Sequence, residues 1–262
     1  GARVLVAAAV IMLLNSLVYN AEVVVEEYVD ALRAGDGSTA MALSQGYLAE
    51  NTPETISTVL LDGEALAASA AMLEDAEIVA TDAEVPESFR NTEVAQQVVE
   101  IRYQDAHDEP QTTSIVVDKV GTSWLFFNVW QLHPLPLQQI ELTPLQMPEH
   151  AKADEPVAHV NDEPTPLLGL NGSPATLAAF APSSIELEYH GTYLEVAEPT
   201  ELLAHDVLAA GAHRDFEFEV QPTQAVDDAI TQEVQEQLQR CTQQQVLKPT
   251  GCPFGYETTN RI

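Results

Sequence analysis

Positive charge is scarce in this chain: 10 Lys and Arg stand against 41 Asp and Glu, for a formal net charge of −31 over 262 residues. A surface so acidic repels nucleic-acid phosphates and anionic lipid headgroups, which excludes a nucleic-acid partner. It suits cationic partners, divalent ions or high salt. Cysteine is nearly missing, with only Cys241 and Cys252. The motifs that announce catalysis are missing too. There is no Ser-His-Asp order, no glycine-rich phosphate loop, no paired-carboxylate motif and no metal cluster at zinc spacing. No enzymatic activity, no cofactor and no metal site is therefore expected. What is present is apolar: 45% of the residues are hydrophobic, enough for packed cores rather than a disordered acidic tail. The length allows two ordinary domains and an additional segment. The start without Met and the abrupt finish at Thr259-Asn260-Arg261-Ile262 predict a piece of a longer chain that continues past residue 262.

One long hydrophobic run exists, Val4 to Tyr19, interrupted only by Asn15 and Ser16. A bilayer span needs about 20 apolar residues, so the run is slightly short by itself. A cleaved signal peptide and a buried soluble helix are the competing readings. The first lacks a small-x-small cleavage site, and the second fits poorly with a run that is apolar on all faces. The expectation is a transmembrane helix over residues 1–20, contacting lipid through residues 4–19. Arg3 before the run, with Glu22, Glu26 and Glu27 after it, predicts a plasma-membrane protein with a cytoplasmic N-terminus and its bulk outside. Nothing helix-breaking separates the run from the segment beginning at Ala21, so an uninterrupted continuation is expected.

Residues 21–145 read as an α+β domain. Val25, Tyr28, Val29 and Leu32 share one face of a helix over Ala21–Ala34 that Gly35-Asp36-Gly37 ends. Thr39–Ser44 and Gly63–Leu73 read as further helices, with a loop over Gly46–Thr55. Strands come next at Ala76–Val85, Glu93–Asp105, Gln111–Val120 and Ser123–Leu132, the last two joined by a tight turn through Gly121. His107-Asp108-Glu109 reads as a polar turn, since three adjacent residues cannot converge on one ion. The strings YVDALRAGD and VVDKVGTSWLFFNVW, in this order, resemble the nuclear transport factor 2-like (cystatin-like) fold. That resemblance implies a cone-shaped domain of helices on an antiparallel sheet. Because the fold includes ketosteroid isomerases, it also directs attention to a cavity. Tyr28, Tyr103, Asp105, Trp124, Phe126 and Trp130 are its candidate lining residues, and Asp118 is a further strand carboxylate. Asp105 and Asp118 stand next to expected turns, where carboxylates are usually solvated.

Prolines 134, 136, 144, 148 and 156 make an extended connector, with the linker proper at 146–156, a boundary near Glu149 and one edge strand around Leu137–Leu142. Residues 157–262 read as a small β-sandwich or β-ribbon. Alternation marks Pro156–Thr165, Ser184–Val196 (broken at Gly191) and Asp215–Gln221, and Asn171-Gly172 marks a turn. The sequon Asn171-Gly172-Ser173 is read structurally, as that turn. A helix over Thr223–Gln244 carries Val226, Ile230, Val234, Leu238 and Cys241 at about four-residue spacing and is expected to pack on the β-unit. A coiled-coil partner is the competing reading, opposed because a strict four-residue step drifts off a heptad seam. Outside the cytoplasm, Cys241 and Cys252 are expected to form a disulfide; a two-thiol metal site lacks nearby His, and a redox pair lacks C-x-x-C spacing. The string CTQQQVLKPTGCPFG is similar to membrane-anchored envelope proteins of actinobacteria, whose biochemical role is largely undefined.

The function expected from these features is a non-catalytic, membrane-anchored scaffold or interaction protein outside the cytoplasm. Its partners would be envelope proteins or a membrane complex, as in accessory subunits of respiratory or secretion assemblies. A small-ligand binder or enzyme using the first domain's cavity is the alternative, and a sensor of envelope cations is a third reading.

Overall fold

The computed structural model describes residues 2–17, 19–48, 55–124, 126–148, 156–169, 172–208, 213–248 and 250–255. The linker around 149–155, Asn171 of the expected turn and sequon, Pro249 and the chain end from 256 lie outside them.

The apolar run forms α1 (Ala2–Leu17), and the next helix, α2 (Glu22–Arg33), begins only after a bend at residues 19–21. The expected transmembrane span, and the single-pass localisation built on it, are overturned. No helix among the described residues is long and apolar enough to cross a membrane. The 16 residues of α1 rise about 24 Å, short of the roughly 30 Å of a hydrocarbon core. Its end is also tied to the rest of the protein. The Asn15 side chain donates to Phe126 O (2.8 Å) and accepts from Asn128 N (3.0 Å), and Tyr19 stacks on Phe127 with ring centroids 4.5 Å apart.

Helices α2, α3 (Gly37–Ser44) and α4 (Gly63–Ser69) cover one face of an antiparallel sheet. Its strands run β1 (Glu77–Thr81), β2 (Ala95–Gln104), β3 (Pro110–Ser123) and β4 (Phe127–Leu132), in that spatial order. Val25, Tyr28, Val29 and Leu32 of α2 are buried against Val99, Ile101, Ile115 and Val117, as the helical and two-residue periodicities require. The β3–β4 connection differs from expectation. Gly121 is not the turn: β3 passes through it with a bulge between Lys119 and Gly121, and the chain reverses around Trp124.

The remainder contains two packed sheets. One is β11-β9-β6-β7 (Thr200–Ala204, Ser183–Glu188, Val157–Val160, Glu163–Pro166). The other is β12-β5-β8 (His213–Glu219, Gln138–Leu145, Ala175–Ala179). Ile140, Leu142, Leu177, Phe216 and Phe218 of the second sheet meet Ala158, Val160, Ile185 and Leu187 of the first in a shared core. The short pair β10 (Leu194–Glu195) and β13 (Gln221–Pro222) leads into the last helix, α5 (Gln224–Gln243). Strand β5, expected at most as an edge strand of the connector, is instead the centre of its sheet, antiparallel to β8 and parallel to β12.

The two cores interlock. Phe180, Ala181 and Val207, which come from beyond the connector, are buried with α2 and β2, whereas Leu60 and Ala65 belong to the sandwich core. Ser57 also bonds through its backbone to β8, donating to Thr176 O and accepting from Ala178 N, each at 2.8 Å.

Candidate functional site

The six residues expected to line a cavity do not converge. Tyr28 is buried where α2 meets the Phe180–Ala181 corner, and its hydroxyl donates to Ala181 O at 2.9 Å. Burial pushes its phenol well above the ordinary tyrosine value, the Ala181 hydrogen bond opposing that shift only in part. The side chains around it (Ser44, Leu135, Phe180, Val207) leave no room for a water molecule. Tyr103 is buried with its hydroxyl 3.2 Å from Thr113 Oγ1, and desolvation pushes it up to about 12. Asp105 instead organises the β2–β3 turn, accepting from the backbone of Glu109 and His107, both at 2.9 Å, and from the Gln111 amide at 2.8 Å. The Glu109 N–H, followed by the Gln111 amide, holds its carboxyl below the usual range. Trp124, 85% exposed, and Phe126 protrude from the β3–β4 tip. Trp130 donates from its indole to Tyr19 O at 3.1 Å, next to α1.

Asp118 is the carboxylate the turn-based reading misjudged. Since β3 runs on to Ser123, Asp118 sits inside the sheet and is buried. It accepts from Gln96 Nε2 at 2.7 Å and lies 2.9 Å from His133 Nδ1. Gln96 also donates to Phe89 O at 2.9 Å, and Phe89 packs edge-on against His133 at 5.9 Å. This network pins residues 87–91 over the sheet.

Two surface arrangements remain. An open groove of about 540 Å³ runs between α2 and α4 over a floor of Ala34, Ala67, Ala70 and Ala71, with Asp30, Arg33 and Glu74 at its rim. On the three-stranded sheet, Glu141 of β5 and His213 and Asp215 of β12 bring three potential metal-ligand atoms within 4.8 Å of one another. Spacing along the chain does not reveal this trio, because a parallel pairing joins strands far apart in sequence; the His-x-Asp spacing on an alternating strand is its one local sign.

The α5 helix departs from expectation more than any other element. Rather than packing on the sandwich, it leaves Ile230 (57%), Val234 (51%) and Leu238 (37%) exposed along one face. Of its residues only Cys241 is buried, under the loop closed by the Cys241–Cys252 disulfide. That loop is also fastened by Gln237 Nε2 donating to Gly251 O at 3.2 Å and by Thr250 N donating to Gln244 Oε1 at 3.1 Å. The helix carries Asp227, Asp228, Glu233 and Glu236 against the single Arg240.

No protein-family description matches the chain, and no curated protein does. A solved structure, the major pilin subunit of Bacillus cereus, is similar at 9% identity over 53% of this chain, with a TM-score of 0.25. The chain spans 41% of the length of that pilin, and a likeness this slight assigns neither fold nor function.

Proposed function

We propose that this chain is a non-catalytic interaction protein, an accessory subunit that docks onto a larger assembly through α5. The observation that carries the reading is the uncovered Ile230–Val234–Leu238 stripe, spaced one helical turn apart on a helix stiffened at its far end by a disulfide. Such a helix face is used when it lies in a partner's apolar groove. The partner is a different protein with basic residues beside that groove. A second copy would bring one acidic surface of formal charge −31 against another, which like-charge repulsion opposes. The formed disulfide supports work in oxidising surroundings, in keeping with the resemblance to envelope proteins. The order of three helices and an antiparallel meander supports the resemblance to the nuclear transport factor 2-like fold. The alternative of a ligand held among Tyr28, Tyr103 and Asp105 is weakened by their separate placement: Tyr28 bonds to Ala181 O in a spot without room for water, Tyr103 faces Thr113, and Asp105 organises the β2–β3 turn.

The test is affinity purification from the native source under gentle extraction, for the natural chain and for Val234→Glu. A defined assembly recovered in stoichiometric amount with the natural chain and lost with Val234→Glu, at unchanged melting temperature, is the expected result. A lone monomer would refute the reading, and so would a homodimer that Val234→Glu disrupts.

A further inference from the structure

We propose that Glu141, His213 and Asp215 form a binding site for one divalent transition-metal ion of the zinc class. The strand register creates the trio. In the parallel pair, Asp215 stands opposite Glu141 and Phe216 opposite Leu142. Phe216 and Leu142 point into the core, so Asp215 and Glu141 project from the other face of the sheet, and His213, two residues before Asp215, joins them there.

The distances suit a metal. His213 Nε2 lies 3.3 Å from Asp215 Oδ1 and 3.8 Å from Glu141 Oε2. Two ligands bound at about 2.0–2.1 Å to a tetrahedral ion are about 3.3 Å apart. The His–Asp pair already meets that separation, and a rotation of the longer Glu141 side chain closes the rest. Three ligands from two adjacent strands leave at least one coordination position to water, because the site lies on an open face with His213 and Asp215 half-exposed or more.

Charge points the same way. Like charges opposite one another on neighbouring strands destabilise a sheet. Among the described residues no Lys or Arg pairs with either carboxylate, and Arg214, between His213 and Asp215, turns to Gln138 on the opposite side. A cation held by both carboxylates removes that repulsion. The imidazole nitrogen selects its kind: oxygen-only ligand sets suit calcium and magnesium, whereas mixed nitrogen and carboxylate sets favour zinc and its first-row neighbours.

The experiment is calorimetric titration of chelator-stripped protein with zinc chloride, and separately with magnesium chloride, at fixed ionic strength. Magnesium reports the diffuse attraction of an acidic surface for any divalent ion. A single saturable zinc site, at least about tenfold tighter than magnesium and weakened about tenfold or more by His213→Ala and by Asp215→Asn, is expected. A visible absorption band on cobalt addition that His213→Ala abolishes would place the imidazole on the metal. Zinc binding no tighter than magnesium, or unchanged in folded His213→Ala protein, would overturn the proposal.

Discussion

Replacing Tyr28 with Phe removes one atom from the seam between the two cores and tests whether the protein unfolds as a unit. The ring keeps its edge-on contact with Phe180, at a centroid separation of 6.3 Å, so packing is nearly conserved. What is lost is the 2.9 Å hydrogen bond to Ala181 O, in a place where Tyr28 is only 1% exposed. Water cannot replace the hydroxyl there, and the buried carbonyl is left without that donor. Such a loss costs about 1–2 kcal/mol. For a chain of this size each kcal/mol lowers the melting temperature by about 2–4 °C, giving a fall of about 2–8 °C. Urea unfolding monitored by circular dichroism should show a lower midpoint with an unchanged slope, since the surface exposed on unfolding is the same. The transition should also remain single, because Phe180 and Ala181 sit in the first core and Leu60 and Ala65 in the second. A shift below about 0.3 kcal/mol, or two separate transitions of which only one moves, would refute the reasoning.

Alkaline stability should decline above about pH 10. Burial raises Tyr28 and Tyr103 above their unfolded values, Tyr103 to about 12, so above pH 10 the folded chain holds protons that the unfolded chain releases. Their contribution is therefore complete below about pH 10 and is lost as pH rises through the folded values. Melting temperature measured from pH 9 to 12 should fall less steeply in Tyr28→Phe/Tyr103→Phe, and an equally steep fall would show that other groups govern it. Reducing the Cys241–Cys252 disulfide, which spans 11 positions, should remove about 2–3 kcal/mol of local stability. Because α5 meets the body mainly near β13, hydrogen exchange should accelerate over residues 238–248 while the main melting transition barely moves. A large drop in that transition would mean that α5 is packed on the sandwich after all.

Local pattern was legible in the sequence, and adjacency was not. The α2 stripe of Val25, Tyr28, Val29 and Leu32 and the alternation in β9 and β12 each mark a buried face, because burial imposes the period of the backbone. Gly121 was misread because a glycine in a strand serves a bulge as readily as a turn, while the actual reversal places Trp124 at φ 51°, a conformation its residue type does not advertise. The apolar run of α1 was read by composition. Asn15, its one strong hydrogen-bonding group apart from Ser16, was the clue that the helix end meets protein backbone rather than lipid. The stripe of α5 was visible, but a stripe says only that something apolar should cover it. The Glu141–His213–Asp215 trio depends on a non-local parallel pairing, for which spacing along the chain carries no signal. Likewise the burial of Asp118 depends on how far β3 extends, and strand ends are where pattern is weakest.

The parallel seating of β12 beside β5 also sets a timetable for biosynthesis. One edge of β5 can be closed by β8 soon after it is made, but the other stays open until β12 has left the ribosome. At typical elongation rates that interval is on the order of ten seconds, long compared with the microseconds in which strands find neighbours. During that time an unpaired central strand offers its hydrogen-bonding groups to any extended segment nearby. The acidic residues within these strands, Glu141 in β5 and Asp215, Glu217 and Glu219 in β12, then act before folding is finished, keeping one nascent chain from pairing with another.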